Sequence, residues 1–348
     1  MTQENKSSFN PEILRQTEKH VRDILSLAIQ HSDSHAALIV SDSQCDLAIA
    51  LTEVYRRCLP KAKFIDFDKT SREEILKEFD SLAAGDLVVL IQSSSFRLGE
   101  FRIRVELFNR SLKVIEHPHL GRMPGDEPLY YLDSLAYDPE YYRGLGAALK
   151  NCIDRARVCV VESGGEKLVF ESGFEPAKLN VGDYTGMKNI GGQFPIGEVF
   201  TEARDLEAVN GRVRMFGFGN TDFLLTKPEK PITLEIVRGR ITKVYDTTPE
   251  FEKVLAIIRA DEGEVWLREL GFGLNRAFTR ERIVSDIGTY ERMCGIHLSL
   301  GAKHGLYKKP NIKKKEAKYH VDIFAAVESV TLDEQVVYQN GGWQASVV

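Results

Sequence analysis

Apolar positions along the first half of the chain alternate between two textures. Ile13, Leu14, Val21, Ile24, Leu25, Leu27 and Ala28 recur with a roughly helical period, which predicts an amphipathic helix over residues 11–31. A short apolar run, His35–Val40, predicts a strand. The polar turn Ser41-Asp42-Ser43 then opens a helix over Leu47–Cys58. The unit repeats. Ala62–Phe67 predicts a strand, Ser71–Leu82 a helix, Asp86–Gln92 a strand, Phe101–Arg110 a helix and Leu112–Glu116 a fourth strand. Near-continuous apolar strands alternating with helices predict a parallel sheet covered on both faces. Residues 1–150 therefore read as a doubly wound, Rossmann-like α/β domain.

After residue 155 the texture changes. Glycine becomes frequent and the alternation turns strict, over Leu168–Glu171, Arg212–Phe216, Ile232–Val237 and Arg240–Tyr245. Phe251–Arg259 predicts a helix. Tyr319–Val327 and Glu334–Gln339 predict late strands, with a turn at Asn340-Gly341-Gly342. Residues 151–348 thus read as a mixed, largely antiparallel α+β domain.

No glycine-rich phosphate loop follows any early strand, since the turn after the first is Ser41-Asp42-Ser43-Gln44. Nucleotide binding is not expected there, and Gln92–Arg97, at the C-terminal end of a strand, reads as a solvated loop. The net charge of −5 argues against a general nucleic-acid binder. Five scattered cysteines without a Cys-x-x-Cys pair read as reduced thiols. The polar stretch Met1–Asn10 does not resemble a signal peptide, and no apolar run reaches the length of a membrane helix. The expectation is a cytoplasmic protein with no nucleic-acid or membrane partner.

The candidate chemistry lies in the second half. Glu198 follows Gly191-Gly192-Gln193-Phe194-Pro195-Ile196-Gly197, at a loop-to-strand junction. Glu269 lies in Leu267-Arg268-Glu269-Leu270-Gly271-Phe272-Gly273, where an acid among apolar residues needs a partner, such as Arg268, Arg276 or a cation. His297 alternates with Ile296 and Leu298. His320 and Asp322 are two apart, which on a strand aims both at one ion. Imidazoles and carboxylates together suit a divalent ion such as Zn²⁺, Co²⁺, Mn²⁺ or Fe²⁺. The basic run Lys303, Lys308, Lys309, Lys313, Lys314, Lys315 and Lys318 lies between His297 and His320 and reads as a solvated loop.

Four segments in order carry a family resemblance: Phe194–Thr201 (FPIGEVFT), Arg268–Asn275 (RELGFGLN), Gly295–Gly301 (GIHLSLG) and His320–Asp322. The second half resembles the aminopeptidase T and aminopeptidase S family of dinuclear metallo-aminopeptidases. That resemblance implies two divalent ions, Zn²⁺ or Co²⁺ with Mn²⁺ or Fe²⁺ as alternatives, held by Glu198, Glu269, His297, His320 and Asp322. It also implies a peptide or small amide substrate and a homodimer. Glu198 or Glu269 would shuttle the proton to the leaving amine. The family has a catalytic tyrosine seven positions after the histidine matching His297. Here that position is His304, and the nearest tyrosine is Tyr307, so either one is the candidate for its role.

A second reading is a ring-cleaving dioxygenase, since the chain also distantly resembles the 2,5-dihydroxypyridine dioxygenases. His297, His320 and Asp322 would then supply the two histidines and one carboxylate of a non-haem iron site. Retention of Glu198 and Glu269 favours the hydrolytic reading. A third is a non-catalytic relative, suggested by the replaced tyrosine.

Overall fold

The computed structural model describes residues 7–99, 102–310, 312 and 317–344. Its chain forms two compact units. The first comprises Met1–Pro139 and Gly182–Ile196, the second Glu140–Val181 and Gly197–Val348. The sequence-based division at residue 150 would fall inside the helix Pro139–Arg155. The structural division comes at the start of that helix, and a later segment returns to the first unit.

The first unit is built on a five-stranded sheet. Its order is Lys63–Asp66, Ala37–Ser41, Leu87–Ile91, Lys113–His117, Gly191–Gln193, and every pairing is parallel. All five residues of the central strand Leu87–Ile91 are buried, as its unbroken apolar sequence requires of a strand covered on both faces. On one face Leu38, Val40, Val88, Leu90 and Val114 pack with Ile75 and Phe79 of the helix Arg72–Asp80 and Leu107 of the helix Ile103–Asn109. The helix Asp46–Cys58 packs against the strands Ala37–Ser41 and Leu87–Ile91.

Two local features depart from the periodic pattern. The predicted helix over 11–31 is α-helical only over Pro11–Asp23 and widens to a π-turn over Ile24–Ala28. The fifth strand was invisible to periodicity because it is Gly191-Gly192-Gln193. A Cβ on Gly191 would lie 1.9 Å from the Val114 carbonyl oxygen, so glycine is what lets this strand pair.

The second unit is a curled, largely antiparallel sheet. One run of neighbours is Val209–Gly219, Val321–Ala325, Gly295–Leu300, Leu267–Gly273, Glu198–Glu202 and Lys178–Asn180. The helix Pro249–Glu262 also belongs to this unit. It starts at the N-cap Thr248, whose hydroxyl accepts from the Phe251 amide, and stops at Gly263, where φ is 82°. The predicted strand Tyr319–Val327 is two strands, Val321–Ala325 and Val327–Leu332, which pair with different neighbours. Among the described residues no helix is long and apolar enough to cross a membrane.

The basic run is not uniformly solvated. Lys309 is buried, and its Nζ contacts Glu175 Oε1 at 2.6 Å, Glu202 Oε1 at 3.2 Å and the Ala203 carbonyl at 2.7 Å. Arg268 is buried too. It pairs with fully buried Glu202 and donates to the Ala302 and Tyr307 carbonyls, not to Glu269. Lys318 pairs with Asp261 at the surface. Lys313–Lys315 lie outside the described residues.

Removing one partner of a buried pair strands the other charge. Arg268→Met is therefore expected to lower stability by roughly 3–5 kcal/mol in chemical denaturation. A loss under about 1 kcal/mol would mean that Lys309 alone compensates Glu202.

Candidate metal centre

Strand register brings the sequence candidates to one face of the second unit. Glu198 lies opposite Gly273, Phe200 opposite Gly271, and Glu202 opposite Glu269. One strand further on, Gly271 lies opposite His297, and then His297 lies opposite Phe324 and Ser299 opposite Asp322. Side chains alternate along strands, so Glu198, Glu269, His297 and Asp322 leave from the same face.

Gly271 sits in the row between His297 and Phe200. A Cβ built there would lie 2.0 Å from His297 Cε1 and 2.1 Å from Nε2. The imidazole therefore occupies the space a side chain would take. This lets it reach over one strand to the next, where Nε2 lies 3.2 Å from Glu198 Oε1 and 3.3 Å from Glu269 Oε1. Ligand atoms of Glu198, Glu269 and His297 all fall within 4.8 Å of one another, and all three residues are buried.

Burial alone would drive His297 neutral. Its contacts with Glu198 and Glu269 outweigh that and raise its pKa to about 10. Burial likewise disfavours the Glu269 carboxylate, but hydrogen bonds from His297 and His304 win and hold it well below the usual carboxylate range. The imidazolium proton thus stands between two carboxylates where a cation would be equally compensated. His297 Nδ1 is buried without a hydrogen-bond partner among the described residues. Two carboxylates and an imidazole converging out of water form a donor set that fits a divalent ion.

Two residues brace Glu269. Its amide donates to Ser299 Oγ at 3.0 Å, and its Oε2 lies 2.8 Å from His304 Nε2. His304 Nδ1 accepts from the backbone amides of Leu306 and Tyr307 at 3.2 and 3.4 Å, which leaves the ring proton on Nε2, directed at Glu269.

His320 precedes its strand by one residue, yet its Nε2 is 3.1 Å from Asp322 Oδ1 and its Nδ1 3.3 Å from the Lys303 carbonyl. Against the opposing effect of burial, Asp322 raises its pKa to about 9. The His320–Asp322 pair lies beside the first cluster, with the His304 and His320 rings 6.1 Å apart between centroids. It is not part of the three-residue group. The Tyr307 hydroxyl is engaged elsewhere and donates to the Pro176 carbonyl at 2.8 Å. Arg276 lies over the Tyr141 ring. From the sequence, Ser299 is only a neighbour on the face of His297 and the alternating glycines after Glu269 mark only a close approach to the backbone; which groups meet there depends on register.

No protein-family model and no curated protein matches the chain. Among solved structures it is similar to a 2,5-dihydroxypyridine dioxygenase from Pseudomonas putida KT2440. That match has a TM-score of 0.61 and 16% identity, and it spans 95% of this chain and 98% of the other. It is also similar to AmpT from Thermus thermophilus, an aminopeptidase T, with a TM-score of 0.56 and 14% identity, over 94% of this chain and 99% of the other. At such identities the likeness is one of fold.

Two outcomes test the geometry. Gly271→Ala is expected to weaken divalent-ion binding at least about tenfold in calorimetry, because it displaces His297. Unchanged affinity would show that the ring position is immaterial. Metal ligation needs neutral imidazole, whereas His297 and His320, with pKa values near 10 and 9, carry protons at pH 7. Apparent affinity should therefore climb with pH up to those values. Titrations in buffers of different ionisation heat should show release of about one proton per ion bound at pH 7. Zero release would contradict the protonated resting state.

Proposed function

We propose that the chain is a metal-dependent aminopeptidase that hydrolyses the amide bond next to a free α-amine. The observation that carries this reading is the composition of the converging group. It holds two carboxylates and one histidine, Glu198, Glu269 and His297. A ring-cleaving iron site would need two histidines and one carboxylate. The trio His297, His320 and Asp322 does not form such a group among the described residues. The fold likeness to AmpT supports the hydrolytic reading, and the likeness to the dioxygenase supports the alternative.

In this reading Glu198, Glu269 and His297 would hold one ion, and His320 and Asp322 would be the ligands of a second. Bound divalent ions supply Lewis acidity and make water a stronger acid. The residues do the rest. Glu198 or Glu269 accepts a proton from the attacking water and passes it to the departing amine, so one water is consumed and one amide becomes an acid and an amine. His304 gives its Nε2 proton to Glu269 Oε2 and so holds that carboxylate in place; it would serve the substrate oxygen as negative charge develops only by turning that proton away from Glu269. Tyr307, with its hydroxyl held by Pro176, is left to position the loop that carries His304.

The test is metal analysis of protein purified without added metal or chelator, with turnover of aminoacyl anilides after loading with Zn²⁺ or Co²⁺. Stoichiometric divalent metal and metal-dependent anilide cleavage are expected, with Glu269→Gln lowering kcat on the order of a hundredfold or more. Iron in the purified chain, oxygen consumption with 2,5-dihydroxypyridine and no anilide cleavage would transfer the assignment to the dioxygenase reading.

A further inference from the structure

A cavity of about 340 Å³ in the second unit has His320 and Asp322 in its wall. That volume is at the lower end of the range for small-molecule sites, about 300–1,000 Å³. One side of the wall is aliphatic. Val254, Ile257 and Ile258 come from the helix Pro249–Glu262, and Ile287 from the short helix Ile287–Tyr290. The cavity thus joins an apolar compartment to one pair of candidate ligands.

Its mouth carries an aromatic residue in an uncommon conformation. Phe223 has φ of 60° and is 64% exposed. A bulky side chain rarely adopts that left-handed backbone. The loop holds it there, because Asn220 Oδ1 accepts from the Asp222 and Leu224 amides at 2.9 and 3.1 Å and the Asn220 carbonyl accepts from the Phe223 amide at 3.2 Å. Two lysines also line the wall. Lys318 is paired with Asp261, whereas Lys303 has no ion-pair partner among the described residues. A cationic side chain entering this space meets a like charge, and an apolar one meets aliphatic walls.

We propose that this cavity receives the apolar side chain of the substrate's N-terminal residue, so that amides of leucine- or phenylalanine-sized residues are preferred over those of alanine or arginine. The inference rests on the hydrolytic reading for its substrate, and on the cavity alone for its selectivity.

The test separates the two. L-leucinamide, L-alaninamide and L-argininamide are titrated calorimetrically into the full chain, with and without Zn²⁺, and the matching anilides are assayed for cleavage. Leucinamide is expected to bind at least about tenfold tighter than either competitor. Ile257→Trp, which fills the cavity from a half-buried position, is expected to collapse the leucine-to-alanine ratio towards one. Phe223→Ser, at an exposed position, is expected to lower the same ratio without the risk of misfolding. Preferential binding without any cleavage would sustain the cavity assignment and sink the hydrolytic reading. Cleavage or binding with no preference among the three, or a ratio unmoved by both substitutions, would overturn the cavity assignment and leave the hydrolytic reading standing.

Discussion

The passage of the His297 ring over Gly271 is the constraint on which the candidate centre depends. Three side chains on three adjacent strands do not ordinarily meet at one point, since neighbouring strands lie about 4.8 Å apart. They meet here because the middle strand offers no Cβ where the ring crosses. Glu198 and Glu269 then converge on Nε2 from two different strands. Ser299 and His304 hold Glu269 in place from the backbone and side-chain ends.

A second arrangement of charge lies next to the first. Glu202 is fully buried, one register position from the cluster, opposite Glu269. Left alone it would add a third negative charge and compete for any cation. Arg268 and Lys309 satisfy it instead. Buried carboxylates in this small region are thus sorted into two kinds. Glu202 is neutralised by permanent cations of the chain, while Glu198 and Glu269 are met by imidazoles, His297 for both and His304 for Glu269. That division is what makes the second kind available to a metal.

Much of the first unit was legible in the sequence because its strands are short apolar runs between amphipathic helices, and local pattern suffices for such elements. The return of Gly191–Gln193 to that sheet was not legible, because two glycines and a glutamine carry no periodicity and the pairing is made with a strand more than seventy residues earlier. At the candidate centre the residue types Glu198, Glu269 and His297 stood out by chemistry and apolar surroundings. Their convergence depends on register, which sequence does not display. The partner of Arg268 was left open for the same reason. A neighbour in sequence, Glu269, was the obvious ion-pair candidate, but Glu202 on the adjacent strand is the one it meets. Lys309 was misread because charge composition alone describes a solvated run, whereas one member of it turns inward to four oxygens, of Glu175, Glu202, Ala203 and Arg204.

The most direct measurement is the anomalous diffraction signal from crystals of the chain grown with Zn²⁺ or Mn²⁺ above pH 7. The arrangement across Gly271 requires a peak among Glu198, Glu269 and His297, with metal–ligand distances near 2.0–2.2 Å for zinc. A peak confined to other residues, or none at saturating metal while the three side chains keep their mutual hydrogen bonds, would contradict it and mark the cluster as a buried ion pair.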